Sequence, residues 1–441
     1  MSATDQLSPT RPSHRRALVA GSVGNFIEWY EFGVYGFLAT IIAKNFFSGD
    51  GGSDLEALIK TYASFALAFF FRPIGAALFG RLGDRIGRRP TLILVLLLMS
   101  GATTVIGLLP TYATLGVAAP ILLTLVRIVQ GLSAGGEFGG AVSVMTEFAP
   151  EGRRGLYGSW QSFTVALGLL AGAAVSAVLA LLLTGDQLNA WGWRIPFLLA
   201  LPMGLVALWL RLKLEETPSF QRVEQVVSAG GTSPASAVVR PSALEVAKAI
   251  ALGIGRLMGW SAAGYTFLVV IPSYLQTSLN ATFLQALTAT VLANVGFATT
   301  IIPAGLLSDR FGRRAVMLTG TILIVALALP LLNVLQSDAT GLVAKGLAVL
   351  VAGAVVGMIA GPGPAMLSEM FPTTVRYTGL GLAYSLSNAV FSGSAGLIIT
   401  ALISSTSNLD IPAYYVMATG VVSAFALATL RGQGHRQALR D

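Results

Sequence analysis

Apolar residues in this chain come in long unbroken runs separated by short polar turns, and within the runs they do not alternate with a period of two. A run of about twenty such residues crosses a hydrocarbon layer of about 30 Å as a helix. Twelve runs can be marked: 17–43, 57–81, 90–110, 117–146, 157–184, 193–213, 244–276, 282–306, 315–335, 341–367, 376–404 and 410–430. A continuous run satisfies its own backbone groups as a helix, whereas a barrel strand would alternate, so the pattern predicts an all-α membrane protein with twelve transmembrane helices. The first sixteen residues are polar, and the run after them is too long for a signal-peptide core and lacks a small-residue cleavage site. The first helix is therefore expected to stay in the mature protein.

Composition agrees: 54% of the 441 residues are hydrophobic and 11% charged, against roughly a quarter charged in soluble proteins. The cations collect at one side. Arg15 and Arg16 precede helix 1, the even-numbered turns carry "GRLGDRIGRRP", "EGRRG", "SDRFGRR" and "PTTVRY", and the tail adds Arg431, Arg436 and Arg440. The other side has Lys44, Lys60, Arg194 and Lys345. By the positive-inside rule both termini are expected in the cytoplasm. The net charge of +8 then follows from topology and contact with the lipid bilayer, and it does not call for nucleic acid as a partner. With no cysteine, disulfides and thiolate metal sites are excluded. No metal or cofactor is expected beyond a coupling ion.

Residues 214–243 form one long polar segment, with "VVSAGGTSPASAVVR" reading as a flexible cytoplasmic linker. It separates two halves, 17–213 and 244–430, with tails at 1–16 and 431–441. The halves repeat. "GRLGDRIGRR" returns as "GLLSDRFGRR", and "TEFAPEGRRG" returns as "SEMFPTTVRYTG", so that Asp84 matches Asp309 and Glu147 matches Glu369 at nearly one offset. In the first motif Gly80, Gly87, Gly305 and Gly312 allow tight turns and close helix approach. Asp84 and Asp309 can accept from a neighbouring helix N-terminus, and Arg85, Arg88, Arg89, Arg310, Arg313 and Arg314 can reach carboxylates or lipid phosphates. In the second, Glu147 with Arg154 and Glu369 with Arg376 flank a short turn and can latch one helix pair to another.

These features resemble the major facilitator superfamily, whose chains carry two six-helix halves, a loop motif after helices 2 and 8, and a Glu-x6-Arg pair after helices 4 and 10. More narrowly, "GNFIEWYEFGVYGF", "FFRPIGAALFGRLGDRIGRR", "RIVQGLSAGGEFGGA", "WGWRIPF", "EMFPTTVR" and "IPAYYVMA" resemble the metabolite:proton symporters, the group of α-ketoglutarate, citrate, shikimate and proline/betaine carriers. That group usually has Asp where this chain has Glu31. The resemblance implies secondary transport by alternating access, with a cavity between pseudo-symmetric halves and the loop motifs bracing the cytoplasmic gate. It implies a bacterial inner membrane location and function as a monomer, and no enzyme activity.

Helix 1 carries Glu28 and Glu31 inside its apolar run. At 1.5 Å per residue they lie about 16 and 21 Å from its cytoplasmic start, while Glu137, Arg72 and Arg256 lie about 12–15 Å from the cationic ends of their own helices. Such charges are costly in lipid and imply a polar site between helices. His14 and His435 lie in the tails, so proton coupling is assigned to Glu28, Glu31 or Glu137. Arg256 and Arg127 are candidates to hold a substrate carboxylate, although Arg127 could equally tie helices together. Asn25, Tyr35, Gln130, Gln161, Tyr384 and Asn388 complete the binding candidates, the last two belonging to a stripe on helix 11 that suits helix contact or cavity lining alike. The expected function is proton-coupled uptake of a small organic carboxylate. "IPSYL" and "IPAYYVMA" also look like the carriers of zwitterionic proline and betaine, and efflux by the same fold is a further alternative.

Overall fold

The apolar runs fold as helices throughout the part of the chain that the computed structural model describes: residues 11–49, 53–86, 88–135, 149–212 and 242–430, with 138, 142, 145 and 146 between them. Ten helices are long and apolar enough to cross a membrane. They are α2 (Asp54–Ile86), α3 (Arg88–Leu108), α5 (Arg154–Leu182), α6 (Gly185–Leu212), α7 (Ala243–Leu279), α8 (Phe283–Phe311), α9 (Arg313–Gln336), α10 (Leu342–Met370), α11 (Thr378–Thr406) and α12 (Ile411–Ala428). With α1 (Arg11–Phe37) and α4 (Ala118–Ala134) they make twelve. α1 is less apolar than the others because Asn25, Glu28 and Glu31 interrupt it. The rest of the fourth run, and most of the 214–243 link, lie outside the described residues.

Two-fold repetition shows in the packing. α1 packs on α5, α2 on α4 and α3 on α6, while α7 packs on α11, α8 on α10 and α9 on α12, which is the same set of pairs six helices later. Glycines allow the closest of these approaches. A Cβ at Gly131 on α4 would sit 1.9 Å from the Ala68 carbonyl oxygen on α2, and one at Gly353 on α10 would sit 1.8 Å from the Ala293 carbonyl oxygen on α8. Without a hydrophobic drive between helices in lipid, such backbone contact is what holds a pair together.

The halves meet on both sides of a central level. At the basal end, where α1 starts, α5 lies against α8 and the lower part of α10. At the distal end Thr40 donates to Gln276 Oε1 at 3.0 Å, and the Tyr62 and Ser273 hydroxyls share a hydrogen bond of 2.7 Å. There α2 also packs on α11, with Tyr62 and Phe69 against Gly396 and Gly393. The sequence reading treats each span as one regular helix. The structure instead widens α7 at Thr266–Val270 and α11 at Asn388–Gly393 into π-helical turns. In α7 the turn precedes Pro272, whose missing N–H leaves a regular helix one bond short. π-turns of this kind recur at functional sites, because the extra residue shifts the side chains that follow.

Gly131→Ala should push α2 and α4 apart and lower the melting temperature of the purified protein by several degrees, overpacking of this kind costing about 1–3 kcal/mol. Gly101→Ala, with nothing within 4 Å of its added carbon, should leave it unchanged. Equal melting temperatures for the two variants would contradict the contact.

Candidate functional site

Between the halves lies a small, partly open cavity. Its aromatic lining comes from Trp29 of α1, Trp260 and Tyr265 of α7, Phe297 of α8 and Tyr384 of α11. Ser162, Ser261, Asn388 and Ser392 supply the polar atoms, and among the described residues no charged side chain lines it. Trp29 faces Tyr265 with ring centroids 6.1 Å apart, and Trp260 faces Tyr384 at the same distance. The π-turn of α11 places Asn388 and Ser392 on one side, where the Ser392 hydroxyl donates to Asn388 Oδ1 at 2.9 Å and the Asn388 amide donates to the Tyr384 carbonyl at 2.9 Å. Tyr384 and Asn388 are thus the two substrate candidates that reach the cavity.

The carboxylates of α1 sit beside it in two separate assemblies. Glu28 is 3% exposed and lies 3.2 Å from Nη2 of Arg72, which α2 supplies. Arg72 itself stacks on Phe32 and Phe69, each ring centroid 4.2 Å away. Glu31 is fully buried and accepts from the Thr103 hydroxyl of α3 at 2.7 Å. Thr103 accepts from the Gln130 amide at 2.6 Å, and Gln130 Oε1 accepts from Arg127 Nη1 at 2.6 Å. Arg127 lies over Tyr35, 4.2 Å from its centroid, and the Tyr35 hydroxyl is bonded to Ser64 at 2.5 Å. So Glu31, Gln130, Tyr35 and Arg127 form one buried chain across α1, α3, α4 and α2, outside the cavity lining. The expectation that Glu28 and Glu31 both lie inside the bundle is met, and they answer to different arginines.

Three other candidates fall elsewhere. Asn25 donates to the Thr164 hydroxyl at 2.7 Å and to the Gln161 carbonyl at 3.1 Å, and Gln161 donates back at 3.4 Å, so both tie α1 to α5. Arg256 is turned away from the cavity: Nε donates to the Ala426 carbonyl at 3.3 Å and Nη2 to the Thr429 hydroxyl at 3.0 Å, which caps the C-terminal end of α12. The guanidinium of Arg256 thus reaches back to the basal end of α12, and neither its level nor its direction suits a substrate anchor. Glu137 lies outside the described residues. Trp29, Trp260 and Tyr265 went unassigned as lining. One signal for Trp260 exists, because tryptophan in a spanning helix normally sits at the interface and this one sits well inside.

The basal end is latched by the second copies of the two loop motifs. Asp309 accepts from the backbone N–H groups of Gly155 and Leu156 at 2.7 and 2.8 Å, so its carboxylate sits on the N-terminus of α5, and Arg313 pairs with it at 2.7 Å. Glu369 takes Arg313 at 3.1 Å and Arg154, from the other half, at 3.4 Å. Arg376 donates to the Ser368 and Phe371 carbonyls and closes the turn before α11. Gly305 lets α8 approach Ser159, and Gly312 turns the chain at φ 93°. Arg310 and Arg314 are exposed beside them. Of the first-half motif, Gly87 and Glu147 lie outside the described residues, as do the side chains of Gly80, Asp84, Arg85, Arg88 and Arg89.

Two repeated six-helix halves that clasp a central cavity at both ends, with paired charges buried beside it, define a multi-pass membrane transport protein rather than an enzyme. The chain belongs to the major facilitator superfamily. Residues 17–233 match the family described as sugar (and other) transporter, and residues 249–438 match the major facilitator superfamily itself. Over 426 residues, 96% of this chain and 84% of the relative, it is 35% identical to a proline/betaine transporter of Salmonella typhimurium. A glycine betaine/proline/ectoine/pipecolic acid transporter of Dickeya dadantii is 37% identical over 92% of this chain and 81% of its own. An inner membrane metabolite transport protein of Escherichia coli is 35% identical over 96% of both. Among solved structures, a D-xylose-proton symporter superposes with a TM-score of 0.75 over 97% of this chain and 100% of its own at 20% identity, which speaks for the fold alone.

Because the chain contains no cysteine, Ser159→Cys provides a single reporter buried at the basal latch. Adding Asp309→Asn removes the charge from the α5 N-terminus and should speed maleimide labelling of that reporter several-fold, and it should slow turnover with little change in substrate affinity. Labelling no faster than in Ser159→Cys alone would mean that Asp309 does not hold this end shut.

Proposed function

We propose that the chain is a proton-coupled symporter that takes up small zwitterions of the betaine and proline kind by alternating access. The observation that carries this is the electrical neutrality of the cavity. Among the described residues its lining combines five aromatic side chains with neutral hydroxyl and amide groups, and the charges of Glu28 and Arg72 beside it are matched as a pair. A net anionic carboxylate would need an unmatched cation in the lining, and neither Arg127 nor Arg256 reaches it. A zwitterion adds no net charge to the site, and aromatic faces attract its ammonium end through their quadrupoles. The reading accordingly moves from the organic carboxylate expected above to the zwitterionic alternative. The relatives whose names mention proline, betaine and ectoine support the same choice.

In this reading the basal end faces the cytoplasm of a bacterial inner membrane, and both termini lie there. The site loads from the distal side, and release follows once the Asp309 and Glu369 latch opens. Glu31 carries the coupling proton. It is buried, it is bonded to a neutral hydroxyl, and it connects through Thr103 and Gln130 to Arg127, so gain or loss of its proton changes a network that spans four helices of the first half.

Purified protein in vesicles should accumulate radiolabelled glycine betaine or proline when the proton gradient points inward, and a dicarboxylate should not compete. Movement of the label outward under the same gradient would replace uptake by efflux, and accumulation of the dicarboxylate alone would restore the anion reading. Glu31→Gln should abolish gradient-driven accumulation while leaving exchange of preloaded substrate measurable, because exchange need not cycle the proton. Normal accumulation in that variant would remove Glu31 from the coupling role.

A further inference from the structure

We infer that Arg72 and the hydroxyl of Tyr265 form the seat for the carboxylate end of the transported zwitterion, with Trp29 as the partition between that seat and the aromatic cavity; this rests on the zwitterion reading given above. Arg72 is 3% exposed, and two rings hold its guanidinium, Phe32 and Phe69, with Trp29 at 5.7 Å. Rings stacked on the faces of a guanidinium leave its N–H groups pointing edgewise. Nη2 comes within 3.2 Å of Glu28, yet neither Nε nor Nη2 completes a hydrogen bond among the described residues. These two nitrogens lie on the same edge of the fork, and that edge matches the two oxygens of a carboxylate.

Tyr265 repeats the signature from the other half. It lines the cavity, it is 5% exposed, and its hydroxyl has no hydrogen-bond partner among the described residues. Both groups pack on the same two rings: Phe69 is 4.2 Å from the Arg72 guanidinium and 5.4 Å from the Tyr265 ring, and Trp29 is 5.7 and 6.1 Å from them. Buried polar atoms in folded proteins are nearly always satisfied, and a buried guanidinium edge whose hydrogen bonds are left incomplete is among the costlier exceptions. Three donors from two halves, gathered around one pair of rings beside a cavity with no charge among its described lining residues, are matched by one carboxylate. The trimethylammonium or pyrrolidine end then occupies the space between Trp29, Trp260 and Tyr384. Pro73 follows Arg72 inside α2 and deprives the Phe69 carbonyl of its helical donor, so the backbone that carries both side chains is free to bend at that point.

The test measures equilibrium binding of glycine betaine and of choline, which shares the trimethylammonium group and lacks the carboxylate, to the purified full-length protein. Tyr265→Phe keeps the ring and removes the hydroxyl. Arg72→Lys keeps the charge against Glu28 and removes the fork. Each should weaken glycine betaine by about tenfold or more, the scale of a lost hydrogen bond to a charged group, and leave choline unchanged, so that selectivity for the zwitterion falls. The paired change Glu28→Gln with Arg72→Gln, which leaves no unmatched charge behind, should abolish the selectivity. Equal weakening of both ligands, or undiminished betaine affinity in Tyr265→Phe and Arg72→Lys, would overturn the assignment while leaving the zwitterion reading in place. Failure of the unaltered protein to bind either glycine betaine or proline would instead overturn that reading itself, and the seat with it.

Discussion

A charge buried halfway through a membrane has to be matched inside the protein, and the arrangement of the first half follows from that requirement. α1 brings two carboxylates to mid-depth, and α2, α3 and α4 converge to meet them. Arg72 comes from α2, Thr103 from α3, and Gln130 with Arg127 from α4. Left facing lipid, each charge would cost roughly 2.5–3.5 kcal/mol or more. The close seating of α4 on α2 through Gly131, where an added carbon would meet the Ala68 carbonyl oxygen at 1.9 Å, is what brings Arg127 within reach of the ring system of α2. Charge matching and backbone contact are therefore two sides of one packing solution.

The two halves use that solution differently, although their helix pairs correspond one to one. The first half holds Glu28, Glu31, Arg72 and Arg127 buried around α1. In the second half, the equivalent approach of α8 and α10 is made by Gly353 and Gly357, and its described buried ions gather at the basal end in Arg313 and Arg376, with Arg256 one helix away. What the second half brings to the centre is aromatic and neutral: Trp260, Tyr265, Phe297, Tyr384 and Asn388. The duplicated fold thus places buried charge on one side of the cavity and neutral, largely aromatic surface on the other.

The fold was legible because hydropathy and repetition are one-dimensional signals. Continuous apolar runs mark helices wherever they occur, and the return of "GRLGDRIGRR" as "GLLSDRFGRR" marks a duplication without any structure. The latch was legible for the same reason, since an aspartate followed by arginines at a helix end suits a neighbouring N-terminus, and Asp309 meets that of α5. The site was only half legible. Counting 1.5 Å per residue places Arg256 near mid-membrane, but a side chain can reach away from the level of its backbone, and its guanidinium finds the last carbonyls of α12 at the basal end. Depth likewise does not separate Glu28 from Glu31, yet their different directions around α1 send one to α2 and the other to α3. The π-turns in α7 and α11 displace the residues after them in a way that regular periodicity cannot foresee, and Asn388 and Ser392 owe their places to one of them. Aromatic residues are packing by default, so Trp260 and Tyr265 drew no notice until a cavity stood between them.

Phe32 shows how the matched charges of the first half are joined. Its ring lies 4.2 Å from the Arg72 guanidinium and 5.0 Å from that of Arg127, so one apolar side chain on α1 touches the cations of both assemblies. Each cation is tied to an acceptor within the first half, Arg72 to Glu28 and Arg127 to Gln130. Rigid-body motion of that half carries the assemblies along intact, and no bare charge has to cross the interface with the second half. The contacts that do cross it near the cavity are of a cheaper kind: aromatic edges such as Phe69 on Tyr265, and single hydroxyl bonds such as Tyr62 to Ser273. Breaking and remaking these costs far less than separating a buried ion pair. Near the cavity, charge is therefore confined within one half and contact between halves is neutral, while the charged contacts between halves, made by Asp309 and Glu369, lie at the basal end.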